Sequence, residues 1–276
     1  MTDISASSGS TGNPLSLSGA LVDSRTARVV LPLLTMVIVL LLWELACDML
    51  AVPAYLMPRP SEFLWKFYTD FGTISGQMWA TGKVILMAFG IAGVIGVTLG
   101  YLIATFAALE RGAYPLIVFL EIIPKTITAP LFVTWFGVGV GSKLILTTFI
   151  AFFPILVNGI AGFRSIDPRL YYLAQSAGAN WWQTFVHIQF PAALPHIFAG
   201  LKIASVYAVT AVIVIEFVGS TEGLGHLIVD AMAYMDMELM FAAILATALT
   251  GLIFNLLVTS TERLVMPWLR YRDAVR

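Results

Sequence analysis

The sequence predicts an all-α integral membrane protein that crosses the bilayer with about six helices. Three observations predict it. Only 11% of the 276 residues are charged while 59% are hydrophobic, and mean hydropathy is +0.90; a soluble domain carries roughly a quarter charged residues. Several apolar runs reach the roughly 20 residues that a helix needs to span hydrocarbon. One long polar stretch, 163–191, interrupts them.

Residues 1–24 are rich in Ser, Gly and Thr, with little to bury, and are expected to be a disordered cytoplasmic tail. Residues 25–276 are then the membrane domain. The first apolar run, from Val29 to about Val52, is too long for a signal-peptide core and has no cleavage pattern after it, so it reads as an uncleaved span. Residues 61–72 mix aromatics with Glu62, Lys66 and Asp70, which suits a helix lying at the interface. Pro58 and Pro60 stiffen the approach to it.

The second span, about 78–107, places Ala88, Ala92, Gly96, Gly100, Ala104 and Ala108 at every fourth position, a face that lets another backbone approach closely. The third, about 113–136, is broken by Pro115, Pro124 and Pro130 and carries Glu121 and Lys125. Such breaks at membrane depth are tolerated where protein or a watery cavity satisfies the backbone. Glu121 and Lys125 are four apart, which suits an intrahelical pair; the other reading turns Lys125 towards a cavity, where it offers a positive site to an anion. Further spans run over about 143–162, 192–218 and 239–262. Lys202 suits a snorkelling position, and Glu216, near the end of the fifth span, reads either as a path or gate residue or as a satisfied interfacial carboxylate.

Within 163–191 the punctuation is that of two short helices around a turn. Asp167 caps a helix whose first residue is Pro168, Gly178 stops it, and Asn180 with Gln183 starts a second helix that must yield near Pro191. With an even number of spans both termini share a side. Placing them in the cytoplasm puts nine arginines in inner segments against four basic residues outside (Arg59, Lys66, Lys83 and Lys143), so the positive-inside rule favours cytoplasmic termini and a cytoplasmic 163–191 loop.

Net charge is −1, which argues against a nucleic-acid partner. Cys47 is the single cysteine and the three histidines are scattered, leaving neither a disulfide framework nor a metal motif. GVGVGSK at 137–143 lacks the spacing of a nucleotide-binding loop. No catalytic constellation and no cofactor site is apparent, so energy for transport has to come from an ion gradient or from a partner that carries the ATP site.

Residues 172–191 resemble the "EAA" loop of ABC importer permeases, in which EAA is followed by three residues, Gly, nine residues, Ile, one residue and Leu-Pro. Ala174, Gly178, Ile188 and Pro191 match in register; Tyr172 stands in place of the Glu, Leu173 of the first Ala and Phe190 of the Leu. LMPRPSEFL at 56–64, IPKTITAPLFVTWFGVG at 123–139 and EFVGSTEGLGHLI at 216–228 are similar to the nitrate/sulfonate/taurine branch. The resemblance covers about residues 53–270. It implies a type I (MetI-like) importer permease in a bacterial inner membrane, working as a homodimer. Two copies of an ATPase subunit would dock on the loop, and a periplasmic or lipid-anchored substrate-binding protein on the other side. It implies that hydrolysis takes place on the ATPase and not on this chain. Tyr172, Ala174, Gly178, Trp181, Trp182, Ile188 and Pro191 would form the coupling surface, the two tryptophans reading equally as partner contacts or as an interfacial belt. Glu121, Lys125 and Glu216 would line the path. The solute implied is small and anionic, like a sulfonate, taurine or nitrate. The same role for a thiamin-precursor pyrimidine or other heterocycle is the alternative, and an ion-gradient-driven transporter the contrasting one.

Overall fold

The computed structural model describes residues 27–267, and of residues 27–29 and 125–126 only the backbone. The predicted tail and the arginines at 25, 270, 272 and 276 lie outside the described residues. No strand occurs among those described. The chain separates into two compact units, one ending at Glu62 and the other beginning at Phe63.

The first unit is built on α1 (Ala27–Met49), whose outward surface is almost wholly apolar side chain. Glu44, to which sequence reading gave no role, accepts hydrogen bonds from the Ser61 amide (3.0 Å) and hydroxyl (2.6 Å), and Arg59 pairs with Asp48 at 2.7 Å. These bonds hold the residues that open α2 (Pro60–Thr69), with Pro60 at a first-turn position where a missing N–H costs nothing.

The second unit contains α3 (Phe71–Thr105), α4 (Ala107–Ile122), α5 (Ala129–Phe136), α6 (Val140–Arg164), α7 (Pro168–Ser176), α8 (Trp181–Thr184), α9 (Phe190–Gly219), α10 (Leu224–Ala233) and α11 (Met237–Val265). A π-helical turn, Phe185–Gln189, fuses α8 to α9, giving a continuous 39-residue helical run. With α1, the described residues hold five helices long and apolar enough to cross a membrane. The sequence's third span is in pieces: α4 stops at Ile122, Ile123 is extended ahead of Pro124, a 3₁₀ turn covers Lys125–Thr128, and the eight-residue α5 follows. The residue before a proline is pushed out of the helical region, which is the physical cause of that stop.

The core is α6 packed between α3 and α9. Ala88, Ala92, Gly96 and Gly100 are buried along α3 as the spacing predicts, and a methyl on Gly96 would lie 2.9 Å from Ile155 Cγ2. The stripe ends with α3, however; Ala108 is exposed in α4. Helix faces without a hydrophobic drive between them associate through such close backbone approach. The α6–α9 crossing is tighter still. A Cβ on Gly200 would sit 2.8 Å from both Asn158 Cβ and Pro154 O, and the Asn158 amide donates to that same carbonyl at 2.8 Å. Gly200→Ala is therefore expected to destabilise the purified protein by about 1–3 kcal/mol, since neither neighbour can give way. Gly90→Ala, with nothing within 4 Å of the new methyl, should be neutral or slightly stabilising. Thermal unfolding in detergent compares the two.

Candidate functional site

The polar stretch folds as its punctuation predicts. Asp167 Oδ1 accepts from Arg169 N at 2.9 Å at the start of α7. At its end Gly178, with φ +71°, donates to Gln175 O and Ala179 N donates to Ala174 O, both at 3.0 Å. This is the left-handed wrap that satisfies the last carbonyls of a helix. Asn180 and Gln183 then exchange two bonds, Gln183 N to Asn180 Oδ1 (2.8 Å) and Asn180 N to Gln183 Oε1 (2.9 Å), a complete capping box.

Contrary to the sequence expectation, the second helix does not yield at Pro191. Phe190 N donates to Phe185 O, five residues back, and Pro191 falls in the first turn of α9, where it needs no N–H. The widened turn absorbs the proline and the helix runs on. Gln189 in that turn is buried, and its Oε1 has no partner.

An aromatic cluster moors the hairpin. Tyr101 of α3 meets Phe185 at 4.7 Å and Phe163 of α6 at 5.1 Å between ring centroids, both edge-on, and Trp181 stacks on Phe185 at 6.0 Å. Trp181 Nε1 also donates to the Tyr101 hydroxyl at 3.1 Å. Tyr171 packs beside Phe163, Ile166 and Ala193; burial, with Tyr101 acting in the same direction, raises its phenol above the ordinary value, so it stays neutral. Arg164 at the foot of α6 pairs with Glu110, and that hydrogen bond holds the Glu110 carboxyl below its usual range.

Of the predicted coupling residues, Ala174 is buried against this base, Ile188 and Pro191 are half-buried, and Gly178 is exposed. Tyr172, Trp181 and Trp182 are 71%, 64% and 60% exposed, with Leu173 beside them at 64%. The result is a two-helix hairpin, capped and stacked at its base, with large apolar side chains among the polar ones on its free surface. Sequence reading missed Tyr101 and Phe185; their signals are a large ring beside Gly100 on the small-residue face and a third aromatic one turn after Trp181.

The predicted path residues Glu121 and Lys125 fall on two different elements, and Glu216 lies on a third. Glu121 is exposed near the end of α4, and the helix ends before Lys125, so the two do not share a helix face. The Lys125 side chain lies outside the described residues. Glu216 is elsewhere, at the opposite end of α9 from the hairpin, and is 1% exposed. Its carboxylate accepts from Gly225 N at 2.9 Å and from Thr81 Oγ1 at 3.1 Å, and stands 3.5 Å from Lys143 Nζ. Lys143, also 1% exposed, donates to Glu222 O at 2.8 Å. Leu224 N donates to Thr81 Oγ1 (2.8 Å) and Gly223 N to Gln77 Oε1 (2.5 Å). Sequence reading counted Lys143 only among the basic residues of the outer segments. The structure makes it the centre of a buried polar junction of α3, α6, α9 and the 220–225 segment.

The sequence profile described as "Binding-protein-dependent transport system inner membrane component" matches residues 96–271, well over half of the chain. The chain belongs to that family. Its members are the membrane permeases of ABC importers, which work with ATPase and substrate-binding partners. This permease is 34% identical to the riboflavin transport system permease protein RibX of Chloroflexus aurantiacus, over 85% of this chain and 88% of RibX. It is 31% identical to the formylaminopyrimidine transport permease protein ThiX of Halalkalibacterium halodurans, over 88% and 98%. With the taurine transport system permease protein TauC of Escherichia coli it shares 25% over 87% and 90%. Among solved structures, a chain of the MetNI methionine ABC transporter in inward facing conformations shares the fold of the permease. Its TM-score is 0.62, at 18% identity, covering 71% of this chain and 98% of that one. The type I importer permease fold expected from the sequence is thus the fold observed.

Proposed function

We propose that two copies of this permease form the path of an ATP-driven importer, with both termini and the 163–191 hairpin on the cytoplasmic side of the inner membrane. Each hairpin seats in a cleft of one ATPase subunit through Tyr172, Leu173, Trp181 and Trp182, and a binding protein delivers solute at the opposite end. One observation carries this reading: a hairpin locked at its base by caps and stacked rings, with large apolar side chains left uncovered. A rigid connector transmits rigid-body motion, and exposed aromatics are the residue types that dominate partner contacts.

For the path we favour Glu121 and Lys125, at the break between α4 and α5, where an interrupted helix requires protein or water around it. A cation there suits a solute with an anionic group, such as the sulfonate end of the taurine of TauC. The second solute class is a nitrogen heterocycle, favoured by the higher identity to RibX and ThiX.

Proteoliposomes holding the permease with its ATPase and binding protein test the reading. ATP-dependent accumulation of labelled taurine, riboflavin or formylaminopyrimidine is expected for one class and not the other. Uptake that proceeds without ATP and follows an imposed ion gradient overturns the importer assignment.

A further inference from the structure

The buried junction at the far end of α9 combines features that are costly to separate. Lys143 and Glu216 are both 1% exposed. Each has its polar atoms engaged, Glu216 by Thr81, Gly225 and Lys143, and Lys143 by Glu216 and the Glu222 carbonyl. The bonds reach across as many as 146 residues of sequence, drawing α3, α6 and α9 onto one short segment. Shape closes it as well as charge. Gly223 has φ +113°, and a Cβ there would lie 2.0 Å from Glu216 Oε1; at Gly225 it would lie 2.6 Å from Glu216 Cβ. A buried pair whose hydrogen bonds are all made is tolerated, whereas a separated one leaves bare charge in a low dielectric.

We propose that Gln77, Thr81, Lys143, Glu216 and residues 220–225 form a permanent clasp. On this proposal, which rests on the importer reading above, the 220–225 segment rides rigidly on α3, α6 and α9 through the whole transport cycle. Glu216 is then a positioning residue, and neither it nor Lys143 meets solute. The moving parts are to be sought outside this junction.

Cysteine labelling tests this in nanodiscs holding the permease with its ATPase and binding protein. The background carries Cys47→Ser, which removes the single native thiol. Ser142→Cys reports on the clasp, the position being 0% exposed. Ser142 bonds to Gly139 O and contributes no atom to the clasp, so its replacement leaves the clasp intact. Tyr234→Cys, at a site 84% exposed, sets the open rate, and Ala177→Cys, at an exposed hairpin position outside the proposed contact residues, reports on the hairpin. A small charged thiol reagent is applied without nucleotide, with ATP, and with ATP plus vanadate. The clasp predicts labelling at Ser142→Cys at least about a hundredfold slower than at Tyr234→Cys in every state, as for a segment without local opening. A rise towards the Tyr234→Cys rate in any nucleotide state, or fast labelling of Ser142→Cys at rest, overturns it. Protection of Ala177→Cys by the ATPase is scored separately. Its absence sinks the coupling reading, and the clasp's place in a transport cycle with it, whereas protection with a reactive Ser142→Cys sinks the clasp alone.

Discussion

Lys143→Met is expected to remove most of the folded permease from the membrane. The substitution is close in volume, so packing changes little, but it leaves the Glu216 carboxylate without its counter-charge and the Glu222 carbonyl without its donor. Breaking a buried pair by removing one partner costs about 3–5 kcal/mol, because an uncompensated charge stays behind. Against a total stability of about 5–15 kcal/mol, that loss is a large share. The double variant Lys143→Met/Glu216→Gln should recover most of it. A glutamine oxygen still accepts from Gly225 N, and no net charge remains in the junction. Yield after detergent extraction and midpoint temperature measure both variants. A double variant no more stable than the single one would show that the pair's electrostatics are not what holds this end together.

Gly178→Pro should abolish ATP-driven uptake while leaving the permease inserted and folded. Proline requires φ near −65°, and residue 178 sits at +71°. Proline also lacks the N–H that Gly178 donates to Gln175 O. Clash and lost bond together cost at least about 3 kcal/mol, enough to unwrap the end of α7 and change the angle at which α8 leaves it. No membrane-crossing helix depends on that turn. Gly178→Asn is the control: asparagine tolerates the left-handed region, and the position has nothing within 4 Å of a new Cβ. It should keep most of the uptake. Uptake in proteoliposomes, with co-purification of the ATPase, separates the two variants; normal uptake by Gly178→Pro would remove the hairpin from the coupling path.

What the sequence made legible was mostly local. Asp167, Gly178 and the Asn180–Gln183 box act over two to five residues, and each does in the structure what its chemistry predicts. The small-residue stripe was legible because helical period alone puts Ala88, Ala92, Gly96 and Gly100 on one face. Contacts closed by the tertiary fold were not. Lys143 was legible only as one more basic residue, because its carbonyl partner is 79 residues away. The Tyr101–Phe163–Phe185 cluster draws on three separate stretches of chain. Pro191 looked like a terminator because local rules count its missing N–H and do not foresee a widened turn upstream. Glu121 and Lys125 looked like one turn of a single helix because they are four residues apart, but the helix ends at Ile122, ahead of Pro124.

That widened turn at Phe185–Gln189 has a consequence for the tryptophans ahead of it. A π-helical turn holds about one more residue than an α-helical one, and each residue of an α-helix advances the bearing by about 100°. The compass direction of Trp181 and Trp182 is therefore not dictated by the direction of the long span that follows. One residue more or fewer in those five positions would leave the bilayer-crossing part untouched and swing the indoles by more than a quarter circle. The surroundings of the indoles and those of the long span can thus change separately over generations of sequence change.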